Sequence, residues 1–359
     1  MKSSEKLFIN NLVIVLKNKI IRDKSYFAQV FQENLPYKPL FIKLKLTWNC
    51  NLRCQMCNHW RERVSDMPVD FFKKVVTELS ELGCKRIHLS GGEPLLYPQI
   101  FELMEHIRKK NMKLTMTTNG TLINEKNAPK IADLVSNINI SLDSPFSHLH
   151  DQVRGIKNAF HRTLRGIELL KKYHQAKLQI NMVVNPLNYA SVTELPDLAY
   201  NLGAHNICLI PVKIRTQEIS YFRLEQLLEY NEKIAPFAYA KSLMYNLIEN
   251  YKQIYVFGQT LEELQESCKG NYAQGYYDTH PCMALWTHAL IDHEGRVSAC
   301  CYAVNNPILG DLKVQSFYEI WTSERYQNLR NTYHAPLQDC KGCTMFIHKN
   351  EEILKKLKS

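Results

Sequence analysis

The segment TWNCNLRCQMCNHW, Thr47 to Trp60, places Cys50, Cys54 and Cys57 within eight residues. A structural zinc site wants a fourth ligand close by, and neither His59 nor Cys84 extends the run with paired spacing. A disulfide framework leaves one thiol over. Three thiolates can instead hold three corners of a four-iron cluster and leave one iron open to a ligand that is not protein.

The surroundings of that segment set the fold. FIKLKLTW (41–48) alternates apolar and polar residues at period two and leads into the cysteine loop. PVDFFKKVVTELSELG follows with Pro68 at its start, Phe71, Val75 and Leu79 at helical spacing, and Gly83 at its end. Strand-like KRIHLS, KLTMTT, NINISL, LQINMVV and NICLIPV then alternate with helix-like PQIFELMEHIRKK, NEKNAPKIADLV, NAFHRTLRGIELLKKY and VTELPDLAYNLG. Repeated strand-helix units force right-handed crossovers and a parallel sheet. The pattern predicts an α/β chain with a partial (β/α)6 TIM-like barrel, and such barrels keep their chemistry on loops at the C-terminal strand ends. The cysteine loop follows the first strand.

After residue 214 the alternation stops. LEQLLEYNEKIAPFAYAKSLMYNLIENY reads as one or two helices, ALWTHALIDHEGRVSACCYA as a β-hairpin turning at His293-Glu294-Gly295, and SFYEIWTSERYQNLRNTY as a helix. The expected organisation is an N-terminal helical extension (1–40), the barrel (41–214), a helical bridge (215–280), a small cysteine-bearing hairpin-plus-helix domain (281–348) and a tail (349–359). In that small domain Cys282, Cys300, Cys340 and Cys343 surround one nucleus. Four thiolates close a site, which by spacing suits zinc and a fully ligated iron-sulfur cluster equally. Hairpin alternation sends only one of Cys300 and Cys301 inward; Cys300 is preferred, with Cys301 in reserve.

The chain of 359 residues is 45% hydrophobic and 22% charged, the composition of an ordinary globular protein. Eleven cysteines over this length, with no secretory signal, favour metal ligation in a reducing cytoplasm over a disulfide scaffold. The apolar run Leu7 to Leu16 is too short and too interrupted by Asn to span a bilayer, and reads as a helix packed on the protein; nothing later looks transmembrane. The formal charge of +10 comes without a basic stripe interleaved with aromatic residues, so no nucleic-acid partner is expected.

CxxxCxxC after the first strand, followed by Gly91-Gly92-Glu93-Pro94 after the second, resembles the radical S-adenosylmethionine (radical SAM) superfamily. Taken alone, Gly-Gly-Glu-Pro is a tight turn with a capping carboxylate. The resemblance implies that Cys50, Cys54 and Cys57 hold a [4Fe-4S] cluster whose open iron binds the amino and carboxylate groups of SAM. It further implies that Gly91, Gly92, Glu93 and Pro94 lie at the SAM ammonium, Met56 near adenine, and Ser141 at the methionine or ribose. Arg154 would then meet the SAM carboxylate, with Asn119 and Asp143 at neighbouring positions.

The second cysteine set, with its Cys-Cys after the hairpin and final CxxC, resembles the SPASM/twitch extension of the same superfamily. That likeness implies one auxiliary [4Fe-4S] cluster rather than two, since no cysteine follows Cys343. Of the remaining thiols, Cys84 reads as core, Cys268 as a loop residue, and Cys208 either as core packing or as a hydrogen donor inside the barrel. The implied activity is reductive SAM cleavage and hydrogen abstraction, with an electron donor such as flavodoxin or ferredoxin. A small polar metabolite of sugar or cyclitol type is the expected substrate, because 40 residues before the first strand are too few for a winged-helix peptide-recognition module. Peptide maturation and redox-neutral epimerisation are the alternatives. A zinc-stabilised binding protein is the reading outside enzymology.

Overall fold

The computed structural model describes residues 38–61, 64–173, 176–280, 282–300, 307–331, 337–343 and 350–351. The barrel strands are β1 (Phe41–Lys45), β2 (Arg86–Ser90), β3 (Lys113–Thr118), β4 (Asn137–Ser141), β5 (Lys177–Val184) and β6 (Asn206–Pro211). They pair in parallel and in sequence order. Three more strands, β7 (His288–Ile291), β8 (Arg296–Ser298) and β9 (Ile308–Asp311), complete one sheet in the order β6-β5-β4-β3-β2-β1-β7-β8-β9. The sheet does not close, as a six-stranded parallel barrel should not.

Helices α1 (Val69–Glu81), α2 (Ile100–Lys109) and α3 (Ala128–Leu134) follow β1, β2 and β3; α4 (Ser147–Arg154) and α5 (Ala159–Lys172) follow β4, and α6 (Leu195–Asn201) follows β5. They cover one face of the sheet. Ile42, Leu44, Ile87, Leu89, Leu114, Met116, Ile138, Ile140, Ile180 and Met182 sit on that face, each at most 2% exposed. Burying each such side chain is worth about 1.5–3 kcal/mol, so the period-two alternation fixes which face meets the helices. α1 answers with Phe72, Val75, Val76 and Leu79 and ends where Gly83 turns the chain at φ +85°.

Three elements differ from the sequence reading. His-Asp-Gln-Val-Arg, assigned to no element from the sequence, belongs to helix α4, which ends at Gly155 with φ +68°. The bridge, read as one or two helices, is two: α7 (Leu224–Glu229) runs through a wider π turn, Tyr230–Ile234, into α8 (Ala235–Met244), where Pro236 supplies no N–H to the ladder. Helices α9 (Leu261–Ser267) and α10 (Tyr276–Thr279) complete it, and α11 (Ala284–Thr287) is helical where a strand was expected. The last predicted helix is two, α12 (Phe317–Thr322) and α13 (Glu324–Asn331), separated by Ser323 in extended backbone at ψ 151°.

The largest departure is topological. β7 pairs in parallel with β1, Phe41 opposite His288 and Ile42 opposite Ala289, so the hairpin continues the barrel sheet instead of standing apart. β8 and β9 add to it antiparallel, and β9 was absent from the sequence reading. The N-terminal run Leu7 to Leu16 and Cys301 lie outside the described residues. Among the described residues no helix is long and apolar enough to cross a membrane.

Candidate active site

The loop after β1 is held from several sides. The Gly92 N–H donates to the Thr47 carbonyl (2.7 Å) and the Glu93 N–H to the Asn49 carbonyl (2.9 Å). A Cβ on Gly91, whose φ is +139°, would stand 2.2 Å from the Thr47 oxygen, and one on Gly92 would stand 2.3 Å from the Asn49 oxygen. The two glycines therefore let two stretches of backbone touch. Further along, the Arg53 N–H donates to the Arg154 carbonyl and the Gln55 N–H to the Val153 carbonyl, both at 3.0 Å. Gly155 is required there too, since its Cβ would lie 2.2 Å from the Arg53 oxygen. Thr216 donates to the Gln55 carbonyl, and the Trp60 indole to the Cys54 carbonyl at 3.3 Å.

This frame gathers the first three thiols. Cys54, Leu52 and Ala159 form a small buried nest against which Cys50, Cys57 and Met56 pack. Burial pushes the Cys50 thiol up to about 12, and the neighbouring Cys54, Glu93 and Cys57 push it the same way. Cys54 is raised by burial as well, against the pull of Arg154, whose Nη1 lies 3.7 Å from its sulfur.

Several carried-over residues support the loop from behind. Glu93 is 0% exposed, and its carboxylate accepts from the Thr118 hydroxyl (2.6 Å), the Asn119 N–H (2.8 Å) and the Leu95 N–H (3.1 Å). Pro94 opens the short 3-10 turn that Glu93 caps. The Asn119 side chain donates to Asn51 Oδ1 at 2.9 Å, tying the β3 loop to the cysteine loop. Asp143, 0% exposed, is paired with Arg154 at 2.7 Å and accepts from the Val183 N–H at 2.8 Å. Burial works against the Arg154 charge, but Asp143 and Cys54 outweigh it and hold the guanidinium ionised.

Ser141, Met56, Cys57 and Arg154 line a chamber of about 550 Å³ inside the barrel. Cys343 of the second set lines the same chamber. Within the second set, Cys282 is raised well above its usual range by burial and then by Cys300, Cys343 and Cys340. Cys340 goes to about 11 by burial, with Cys343 adding and Lys213 opposing. The Tyr277 hydroxyl lies 3.7 Å from Cys343 Sγ.

The donor chemistry of both groups fits iron-sulfur ligation. Soft sulfur donors are collected in largely dry surroundings that disfavour unbound thiolates, and a cationic centre is what stabilises such thiolates. The ten described cysteines form no disulfide. No group of three or more His, Cys, Asp or Glu among the described residues stands in a ready metal-binding arrangement, so the thiols are gathered rather than closed.

Cys208 lines a second cavity of about 360 Å³, walled by Tyr251, Tyr255 and Tyr272 of the bridge, and burial raises it to about 12. It is not among the residues lining the chamber. Cys84 sits in the core at 3% exposure, and half-buried Cys268 packs against that core.

The sequence reading missed the chamber wall. Lys43, Arg86, His88, Thr115, Thr117, Asn139, Gln179 and Asn181 face inward. His88 is clasped by the Thr115 and Thr117 hydroxyls at 2.8 and 2.9 Å, and burial, then Lys43 and Arg86, push its pKa well below the usual value. The signal was present: one face of β3, β4 and β5 carries mostly Lys, Thr, Asn or Gln where a filled barrel carries Val, Ile or Leu.

Comparison with known proteins places these features in a family. A profile of the radical SAM superfamily matches residues 44–199, and one described as an iron-sulfur cluster-binding domain matches 282–344. An AdoMet-dependent heme synthase of Methanosarcina barkeri is 30% identical over 82% of this chain and 85% of its own. A PqqA peptide cyclase of Gluconobacter oxydans is 25% identical over 86% of this chain and 84% of its own. In fold, Streptococcus suis SuiB bound to S-adenosylmethionine matches with a TM-score of 0.65 at 19% identity, covering 95% of this chain and 82% of that one.

Proposed function

Because the chain belongs to the radical SAM superfamily and is an enzyme using a [4Fe-4S] cluster, SAM and auxiliary iron-sulfur, we propose that it oxidises a small polar molecule seated in the barrel chamber. The observation that carries this reading is that Cys57 and Cys343, one from each thiol set, line the same chamber. When bound, the first cluster with SAM supplies a 5'-deoxyadenosyl radical that takes a hydrogen atom, and the auxiliary cluster supplies an acceptor for one electron.

The chain's own part is to hold and exclude. Cys50, Cys54 and Cys57 hold the first cluster, and Cys282, Cys300, Cys340 and Cys343 the second. Met56, Ser141 and Arg154, which border the chamber beside Cys57, flank SAM. Glu93, Asn119 and Asp143 act by fixing the loops through the hydrogen bonds given above, and the Gly91–Pro94 backbone braces the cysteine loop. Flavodoxin or ferredoxin serves as donor in a reducing cytoplasm.

A sugar or cyclitol substrate rests on the polarity of the chamber alone, since the relatives named above are a heme synthase and a peptide cyclase. A peptide is the second reading, favoured by the length over which the peptide cyclase aligns. Anaerobically reconstituted protein, given SAM and dithionite, should release 5'-deoxyadenosine, and faster with its substrate. Pools of small metabolites and of peptides compared in that assay choose between the readings, and a reconstituted protein that never cleaves SAM overturns both.

A further inference from the structure

A buried hydroxyl reaches the second thiol set. Tyr277, on α10, is 2% exposed, and its hydroxyl lies 3.7 Å from Cys343 Sγ, a hydrogen-bonding contact for a sulfur atom. Burial, then Cys343 and Cys282, push the Tyr277 phenol upward, so it stands beside two of the four thiols. Among the described residues the hydroxyl has no other hydrogen-bond partner.

The contact is held from both sides. The Ala273 N–H donates to the Lys341 carbonyl at 2.7 Å, tying the segment before α10 to the turn that carries Cys340 and leads to Cys343. A Cβ on Gly342 would stand 2.9 Å from the Gly270 oxygen, so these two stretches of backbone touch. Gly275, at φ +72°, turns the chain into α10. The Tyr277 ring meets the Tyr276 ring edge-on at 5.0 Å, and Tyr276 stacks on His280 at 4.4 Å. Packing therefore fixes the ring, and backbone contacts fix the turn.

By geometry alone either atom could donate. On the reading above Cys343 is a cluster ligand, hence a thiolate without a proton, whereas a phenol with an ordinary pKa of about 10 keeps its own at neutral pH. The direction is then fixed: Tyr277 donates. A hydrogen bond to a ligand sulfur favours the more negative oxidation state, and reduction adds one negative charge to an iron-sulfur cluster, so such a bond raises the reduction potential. Cys343 is also the member of the second set that lines the chamber.

We propose, resting on that reading, that Tyr277 acts through Cys343 to set the reduction potential of the second cluster, making it a readier acceptor for an electron from the chamber. Tyr277 is thus a positioning residue. No bond is made or broken at it, and it keeps its proton in both oxidation states.

The test is redox potentiometry of the reconstituted full chain, followed by electron paramagnetic resonance with SAM added, which alters the signal of the cluster it binds and leaves the other. Tyr277→Phe should make reduction of the second cluster about tenfold less favourable, a fall of about 59 mV for a one-electron couple, with the first cluster unmoved. Electron-nuclear double resonance of the reduced protein should show one exchangeable proton fewer at the second cluster. Tyr230→Phe is the control, because Tyr230 is as deeply buried but donates to the Ile254 carbonyl at 2.7 Å and not to a sulfur. It should leave both potentials where they are. Where Tyr277→Phe loses iron, 3-fluorotyrosine at position 277 keeps the ring and offers a stronger donor, and the potential should rise.

An unmoved potential in Tyr277→Phe, no rise with 3-fluorotyrosine, or an equal fall in Tyr230→Phe would overturn the proposal. A wild-type content near four irons removes the second cluster and this inference with it. About eight irons without a shift sink this inference alone, whereas a shift in protein that never cleaves SAM upholds it and sinks the radical reading.

Discussion

The two thiol groups are built in opposite ways. Cys50, Cys54 and Cys57 come from one loop of eight residues, shaped by backbone hydrogen bonds to Gly92, Glu93, Val153 and Arg154. Cys282, Cys300, Cys340 and Cys343 come from segments spread over more than sixty residues, which approach one another as β7 docks on β1 and the turn Gln338–Gly342 packs beside α10. A local trio leaves a coordination position for a ligand that comes and goes. On the proposed reading a quartet drawn from separate elements closes only around its cluster and so ties the C-terminal region together, and metal and fold there should stand or fall as one.

The comparison breaks most visibly if the trio is removed. Cys50→Ala/Cys54→Ala/Cys57→Ala should abolish 5'-deoxyadenosine formation while retaining about half of the roughly eight irons of two four-iron clusters. A wild-type content near four irons would erase the second group. Next in size, Cys340→Ala/Cys343→Ala should leave SAM cleavage measurable and remove the oxidised product, with deuterium from solvent appearing in recovered substrate. Matching circular dichroism and gel filtration are needed before that result counts, and full product from a well-folded variant would reduce the quartet to a structural role.

Two smaller effects sharpen the account of the frame. Gly91→Ala places a Cβ 2.2 Å from the Thr47 oxygen at a φ of +139°. It should destabilise the chain by about 3 kcal/mol and lower iron incorporation at the trio more than at the quartet. Denaturant titration and cluster spectroscopy check the two halves of that statement.

The last prediction concerns pH. His150 is fully buried, its Nδ1 accepts from the Asp143 N–H at 3.1 Å, and burial, then Arg154, hold its pKa at about 3. A histidine neutral in the fold but protonated when unfolded leaves stability intact above about pH 6.5 and erodes it from there down to about pH 3. Its share of the loss should be about 1.4 kcal/mol per pH unit in that window. His150→Asn should flatten the slope, whatever it does to absolute stability.

Much of the fold was legible because its determinants are local. The six parallel strands fall within a residue or two of their apolar alternation, apart from β1, whose ladder stops at Lys45 so that the chain can turn into the cysteine loop. Helix α4 escaped notice because Ser-His-Leu-His-Asp-Gln-Val-Arg buries only His150, Val153 and Arg154, too few for a helical stripe. β9 escaped because four residues, Ile-Leu-Gly-Asp, form a strand only when β8 is there to pair with them. In the site, the cysteines and the Gly91–Pro94 motif could be found from spacing, whereas the polar chamber wall required knowing which face of each strand points inward.

By itself the sequence determined the barrel class and picked out the two cysteine sets, whereas it was the structure that set Gly91 and Gly92 with their backbone against the Thr47 and Asn49 backbone. Tertiary structure decided that the hairpin extends the barrel sheet and that Cys57 and Cys343 face one chamber. It also decided that Glu93 and Asp143 spend their carboxylates inside the protein, since a carboxylate's partners are set by which loops fold within hydrogen-bonding reach of it.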